Sequence, residues 1–174
     1  MEEHDKFIMN QINKYVKVDD ILYHLGDVGM GQGWKEKCKD WRASINCKTI
    51  HLILGNHDHV FAKPANRDLA NSLFASVNKL WHGNIAGRTM VLSHYAMRTW
   101  AFQGQGSIHC YGHSHSTLPD DPHSLSMDVG LDCQIHGHTK YTPYSAEEIF
   151  SIMDNPLYKQ QKFFDHHGPD TNPC

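Results

Sequence analysis

Residues 49–58 read TIHLILGNHD, and this stretch decides the fold class. Its first six residues are mostly apolar and include several β-branched side chains, which predicts a buried β-strand. Residues 55–58 follow that strand directly with an amide, an imidazole and a carboxylate. Open α/β sheets bind ligands at the carboxyl ends of their strands. These polar side chains are therefore candidates for a functional site.

Three further predicted strands end in the same way, with a small residue beside an aspartate or a histidine. Residues 21–25 precede Gly26-Asp27, residues 88–92 precede Ser93-His94, and residues 108–111 precede Gly112-His113-Ser114-His115. A glycine at such an end allows the backbone to turn sharply toward a ligand.

Helical segments alternate with these strands. The spacing of apolar residues predicts helices over 2–17 and 34–45. Pro64 suits the first turn of a third helix, which is predicted to extend through Val77. A capping box formed by Ser145 and Glu148 predicts the start of a last helix. Residues 79–82 and 88–92 predict a hairpin around Gly83-Asn84, and residues 125–129 predict one more strand. We expect a single α/β domain over residues 1–164, followed by a flexible tail, 165–174.

The composition excludes several classes of protein. The chain has 174 residues, and 40% of them are hydrophobic, which excludes wholesale disorder. Its formal charge of −3 excludes a dedicated basic surface for nucleic acid, although nucleic acid is not excluded as a substrate. The sequence contains no apolar run of 18 residues, so no membrane-spanning helix is predicted. The first residues are acidic and polar, which is not the pattern of a secretory signal. Five scattered cysteines without a C-x-x-C pair predict reduced thiols and a cytoplasmic protein.

The polar residues at the strand ends form a set of metal donors. Together they offer one carboxylate, one amide oxygen and three imidazoles: Asp27, Asn56, His94, His113 and His115. Mixed oxygen and nitrogen donors favour a divalent transition metal, with manganese first and iron, zinc or nickel as alternatives. A carboxylate can bridge two metals, and such a pair can hold a phosphate ester between them.

The motifs at these strand ends, in their order along the chain, resemble the calcineurin-like metallophosphoesterase family. The surrounding segments at residues 20–27, 92–98 and 127–132 resemble its small bacterial and phage branch, and the resemblance covers about residues 5–150. It implies an α/β/β/α sandwich of two mixed sheets flanked by helices. The implied activity is hydrolysis of a phosphate monoester or diester by a metal-bound hydroxide, on a small phosphate ester or a nucleotide-type substrate.

The resemblance also implies roles for individual residues. Asp27 would bridge two metals; Asn56, His94 and His113 would complete the ligands of the second metal, and His115 would bind the first. His57 would donate a proton to the leaving oxygen or stabilise charge there, and Asp58 would hold the His57 imidazole in the required tautomer. Apart from the resemblance, Arg98 lies four residues past His94 and could neutralise a substrate phosphate, since a guanidinium matches phosphate geometry, although a solvated or core-bridging arginine fits its position equally well.

The sequence departs from the family at its start, where the family has a strand carrying Asp-x-His. Without that strand the first metal keeps only Asp27 and His115, so we expect one tightly bound ion and a second, weaker one. The lost strand would pair in parallel with residues 21–25, and the exposed edge raises self-association as an expectation. The alternative to an active enzyme is a catalytically weak or inactive metal-binding or interaction module.

Other histidines have simpler interpretations. His24 and His51 lie within predicted strands, where a core or face position is favoured over metal ligation. His136 and His138 are expected in a surface loop, and His166-His167 in the tail.

Overall fold

A computed structural model describes residues 3–29, 33–132 and 141–158. The predicted tail and the histidine pairs at 136–138 and 166–167 lie outside these ranges. The helices are α1 (Glu3–Tyr15), α2 (Trp34–Ala43), α3 (His59–Ala62), α4 (Arg67–Leu73) and α5 (Ala146–Met153). The strands are β1 (Ile21–His24), β2 (Thr49–Ile53), β3 (Ser76–Asn78), β4 (Leu80–Ile85), β5 (Arg88–Ser93), β6 (Ile108–Tyr111) and β7 (Ser126–Asp128).

The strands form two sheets flanked by helices, which confirms the predicted mixed α/β class. The first sheet has the order β1-β2-β3, and the second has the order β4-β5-β6-β7. In the second sheet β4 and β5 are antiparallel, whereas β5, β6 and β7 run parallel. The expectation of two mixed sheets is wrong for the first one, since its three strands among the described residues are all parallel.

Two hydrophobic cores lie on opposite faces of the first sheet. Ile50 and Leu52 of β2 pack into one core with side chains of α1, α2 and α4. Ile53 points to the other face and packs with β5, β6, β7 and α5. Alternate residues of a strand face opposite sides of a sheet, so the apolar run of β2 is buried on both faces. This burial fixes the position of the strand end at Gly55.

The segment after Pro64 differs from the predicted helix through Val77. A 3-10 turn at Pro64–Asn66 and the short α4 are followed by Phe74 in an extended conformation. The Ala75 N–H then donates to the carbonyl of Ile50, and β3 continues as a parallel neighbour of β2. Pairing with a buried strand thus overrides the helical spacing of this segment.

The hairpin between β4 and β5 turns later than predicted. Gly83 and Asn84 lie within β4, and Ile85 pairs directly with Arg88. The two residues between them, Ala86 and Gly87, have φ angles of 47° and 90°. Positive φ at both central residues is the pattern of a type I′ turn, which matches the twist of the strands.

Substitutions in this turn should separate its backbone strain from packing. Ala86→Asn should raise the free energy of unfolding by roughly 0.5–1 kcal/mol, because asparagine tolerates positive φ better than alanine. Gly87→Ala should lower it by about 1 kcal/mol, although an added Cβ would meet nothing within 4 Å. Urea denaturation measures both, and equal midpoints for the two variants would contradict this account of the turn.

Cys110 lies in β6 with 1% of its surface exposed, and burial raises the pKa of its thiol to about 12. The thiolate is the reactive form of cysteine, so iodoacetamide at pH 8 should leave Cys110 unmodified in the native protein and modify it in denaturant. Peptide mass mapping identifies the labelled residue. Rapid native labelling at Cys110 would contradict its placement.

No helix in the described part of the chain has the length and apolar character needed to cross a bilayer.

Candidate metal centre

The ends of β1 and β2 lie in direct contact through two glycines. Gly26 has a φ of 97°, and a Cβ added there would lie 2.5 Å from the Gly55 nitrogen. A Cβ added at Gly55 would lie 2.2 Å from Oδ1 of Asp27. No side chain fits at either position, so both glycines are required for this approach. Gly112 is different, because a Cβ there would meet nothing closer than 3.6 Å.

Four of the five predicted metal ligands converge at these strand ends. Nε2 of His94 lies 3.0 Å from Oδ1 of Asn56, 3.1 Å from Nδ1 of His113 and 3.3 Å from Oδ2 of Asp27. The donor atoms of Asp27, His94 and His113 all lie within 4.8 Å of one another. The four residues follow β1, β2, β5 and β6, so each strand end contributes one donor.

The hydrogen bonding of His94 determines the character of this cluster. Its Nδ1 lies 2.6 Å from the carbonyl oxygen of Leu25, to which only a protonated nitrogen can donate. In the neutral ring Nε2 is then an acceptor, and it faces the oxygens of Asn56 and Asp27, which are acceptors too. A shared cation or a proton on Nε2 removes the repulsion between these lone pairs, and Nδ1 of His113, at 3.1 Å, donates to Nε2 when it carries a proton. The cluster therefore fits a divalent ion.

Backbone strain is present at two residues of this cluster and at His115. Asp27, His113 and His115 have φ angles of 56°, 63° and 47°. Residues with a Cβ avoid this region at a cost of about 1–2 kcal/mol each. Such strain persists where the surrounding structure imposes it, commonly at functional sites.

Asp58 has partners other than those expected. Its fully buried carboxylate accepts hydrogen bonds from the backbone N–H groups of Asp27, Val28 and Gly55, at 2.8, 3.1 and 2.8 Å. The expected contact with the His57 imidazole is not among its hydrogen bonds, because both carboxylate oxygens are directed at the backbone. Asp58 thus joins the loop after β1 to the loop after β2.

His57 and Arg98 lie at the surface. The backbone N–H of His57 donates to Oδ1 of Asp27 at 2.9 Å, while its exposed imidazole makes no hydrogen bond to a described residue. Arg98 is also exposed and forms no ion pair or hydrogen bond within the described ranges. Their predicted contacts with a phosphate ester stay predictions.

His115 lies apart from the compact group. Its Nδ1 is hydrogen-bonded to Oδ2 of Asp132, and this bond, together with the charges of Asp132, Asp128 and Asp27, raises the pKa of the imidazole. The carboxylate of Asp128 is buried and accepts hydrogen bonds from the backbone N–H groups of Ser116 and Gly130. The sequence assigns no role to Asp128 or Asp132, although both lie in the segment 127–132 that contributes to the family resemblance.

A cleft of about 1610 Å³ opens beside the cluster. Apolar side chains of α1, β1 and α5 line one part of it, and Asp27, His94, His113, His115 and Asp132 line another. His24 borders the cleft with a buried Nδ1 that has no hydrogen-bond partner in the described structure. Burial lowers the pKa of His24, so it remains neutral beside Asp27 and His94.

The comparisons with known proteins bear on the fold. The gene 66 protein of Mycobacterium phage L5 is 27% identical over 165 aligned residues, covering 76% of this chain and 75% of the phage protein. The crystal structure of AQ665, a protein of unknown function from Aquifex aeolicus, superposes with a TM-score of 0.60 at 18% identity, over 87% of this chain and 86% of that one. At this identity the likeness shows a shared fold alone. A scan against models of protein families finds no match.

The contacts of Asp58 predict a large effect of its substitution. Asp58→Asn leaves one oxygen to accept and places an amide NH2 against backbone donors, so the free energy of unfolding should fall by about 3 kcal/mol. Urea denaturation measures the loss, with the exposed Asp121→Asn as the control. An unchanged midpoint for Asp58→Asn would show that the two loops do not depend on this carboxylate.

Proposed function

We propose that this chain is a divalent-metal-dependent phosphoesterase that hydrolyses phosphate monoesters or diesters. The observation that carries the proposal is the convergence of Asp27, Asn56 and His113 on Nε2 of His94, within 3.0–3.3 Å. The donor set, one carboxylate, one amide oxygen and two imidazoles, suits manganese, iron, zinc or nickel. We favour manganese.

The fold supports the same proposal. Two sheets flanked by helices, with ligands at the ends of four strands, agree with a calcineurin-like α/β/β/α sandwich, which we propose as the finer assignment. Asp27 is our candidate for a ligand shared between two ions, since its Oδ2 lies 3.3 Å from Nε2 of His94 and its charge also acts on His115.

A bound divalent ion would supply Lewis-acid stabilisation of charge on the phosphoryl oxygens and a water of lowered pKa. The residues of the chain would hold this ion and orient its ligands. Leu25 fixes the tautomer of His94 through its carbonyl, and Asp58 fixes the Asp27 and Gly55 backbones. His57 is tied to Asp27 by its backbone, and its exposed imidazole is our candidate for protonating the leaving oxygen.

The open site favours small phosphate esters or nucleotide-type phosphodiesters. His57 and Tyr95 contact residues of the cluster, and both are exposed, as is His113, so a phosphate ester can approach from solvent. The Tyr95 ring lies edge-on to His94 and His113, with centroids 4.9 and 4.6 Å away, and limits approach from that side.

One observation favours the second candidate, a metal-binding module with weak or no catalysis. Among the described residues, Asp27, His94 and His113 are the one compact group of three histidine, cysteine or acidic donors, and His115 lies outside it. Asp27 and His115 are, among the described residues, the side chains that the sequence assigns to a second ion, so we expect that ion to bind more weakly.

Metal titration and a turnover assay separate these candidates. Equilibrium dialysis with Mn2+ should show one tight and one weaker site, and His94→Ala should abolish the tight one. Slow, manganese-dependent hydrolysis of bis-(p-nitrophenyl) phosphate should accompany binding. With an alkyl phosphodiester, whose leaving oxygen must be protonated, His57→Gln should lower kcat by about 10²–10⁴-fold without changing Mn2+ affinity, because it removes a proton donor.

The matched control is His123→Gln, which changes an exposed histidine that precedes β7, whereas the residues of the cluster follow their strands. Tight Mn2+ binding with no hydrolysis would favour the module. Absence of Mn2+ binding by the unmodified protein would contradict both candidates.

A further inference from the structure

The strand ends hold a second polar pair beside the cluster, formed by His115 and Asp132. His115 follows β6 and Asp132 follows β7, and Nδ1 of the histidine is hydrogen-bonded to Oδ2 of the aspartate. Both side chains line the cleft that Asp27 also lines. The side chains are 70% and 36% exposed, so burial alone does not force them together.

The backbone around this pair is fixed by pairing of β6 with β7. Tyr111 lies opposite Asp128 in the parallel ladder, and the buried Asp128 carboxylate accepts from Ser116 N–H at 3.2 Å and Gly130 N–H at 2.9 Å. One carboxylate therefore joins the two loops that carry His115 and Asp132. Asp58 joins the loops after β1 and β2 in the same manner.

The hydrogen bond has a direct consequence for the chemistry of His115. A carboxylate accepts and does not donate when ionised, so the proton of a neutral imidazole lies on Nδ1, and Nε2 carries the free lone pair. His94 has the same arrangement, with the Leu25 carbonyl in place of the carboxylate. A carboxylate behind a ligating histidine orients the ring and increases its basicity as a ligand.

We propose that Asp132 is a positioning residue that holds His115 with Nε2 available to a second divalent cation, shared with Asp27. The inference rests on the proposed metal centre and adds a residue to it. Asp132 strengthens a site that has few ligands of its own, since His115 and Asp27 are the two side chains that the sequence assigns to it.

Two variants and one control test this role. Asp132→Ala should weaken the weaker of two Mn2+ sites by about 10–100-fold and leave the tight site unchanged. Asp132→Asn should recover part of that loss, because its amide oxygen can still accept from Nδ1–H. Asp19→Ala, which removes an exposed aspartate paired with Lys48 at 2.8 Å, should behave as wild type.

A second readout does not depend on metal. Long-range 1H–15N NMR of the metal-free protein, at a pH where the imidazole is neutral, should show His115 protonated at Nδ1 in wild type and mainly at Nε2 in Asp132→Ala. A role limited to stability would shift the unfolding midpoint without changing the tautomer.

Two results would overturn the inference. One is an Asp132→Ala variant with both Mn2+ affinities and the His115 tautomer unchanged; the other is an equal loss of affinity at both sites. Failure of the proposed function would look different, because unmodified protein would then lack the tight site as well.

Discussion

The buried carboxylate of Asp58 is the contact on which the arrangement of the strand ends depends. It accepts hydrogen bonds from three backbone N–H groups in the loops after β1 and β2, so these donors need no water or other side chain as a partner. Because Gly26 and Gly55 have no side chains, the two loops approach closely enough for this to occur. Asp27 and Asn56 are thereby brought together at the carboxyl ends of β1 and β2.

His94 is the residue on which the donor atoms of the site converge. Its ring is 3% exposed, and the Leu25 carbonyl holds its proton on Nδ1. The opposite nitrogen then faces the oxygens of Asn56 and Asp27 and Nδ1 of His113, a set of donor atoms that a shared cation would hold together. Strained φ angles at Asp27 and His113 are consistent with a site whose geometry is imposed by its surroundings.

The sequence predicted the strands and their polar ends well, because a short apolar run followed by glycine and a polar residue is a local signal. It could not predict the partners of Asp58, since those are backbone groups brought near by tertiary packing. The Asp132–His115 contact depends on the pairing of β6 with β7, which no local pattern reveals. The same limit explains β3, where pairing with β2 overrode a helical spacing.

The most direct measurement is an anomalous difference map from crystals grown with excess Mn2+, collected above and below the manganese absorption edge. The account predicts a strong peak among Asp27 Oδ2, Asn56 Oδ1, His94 Nε2 and His113 Nδ1. A map with no anomalous density there, and with these four atoms moved apart into separate hydrogen bonds, would contradict it.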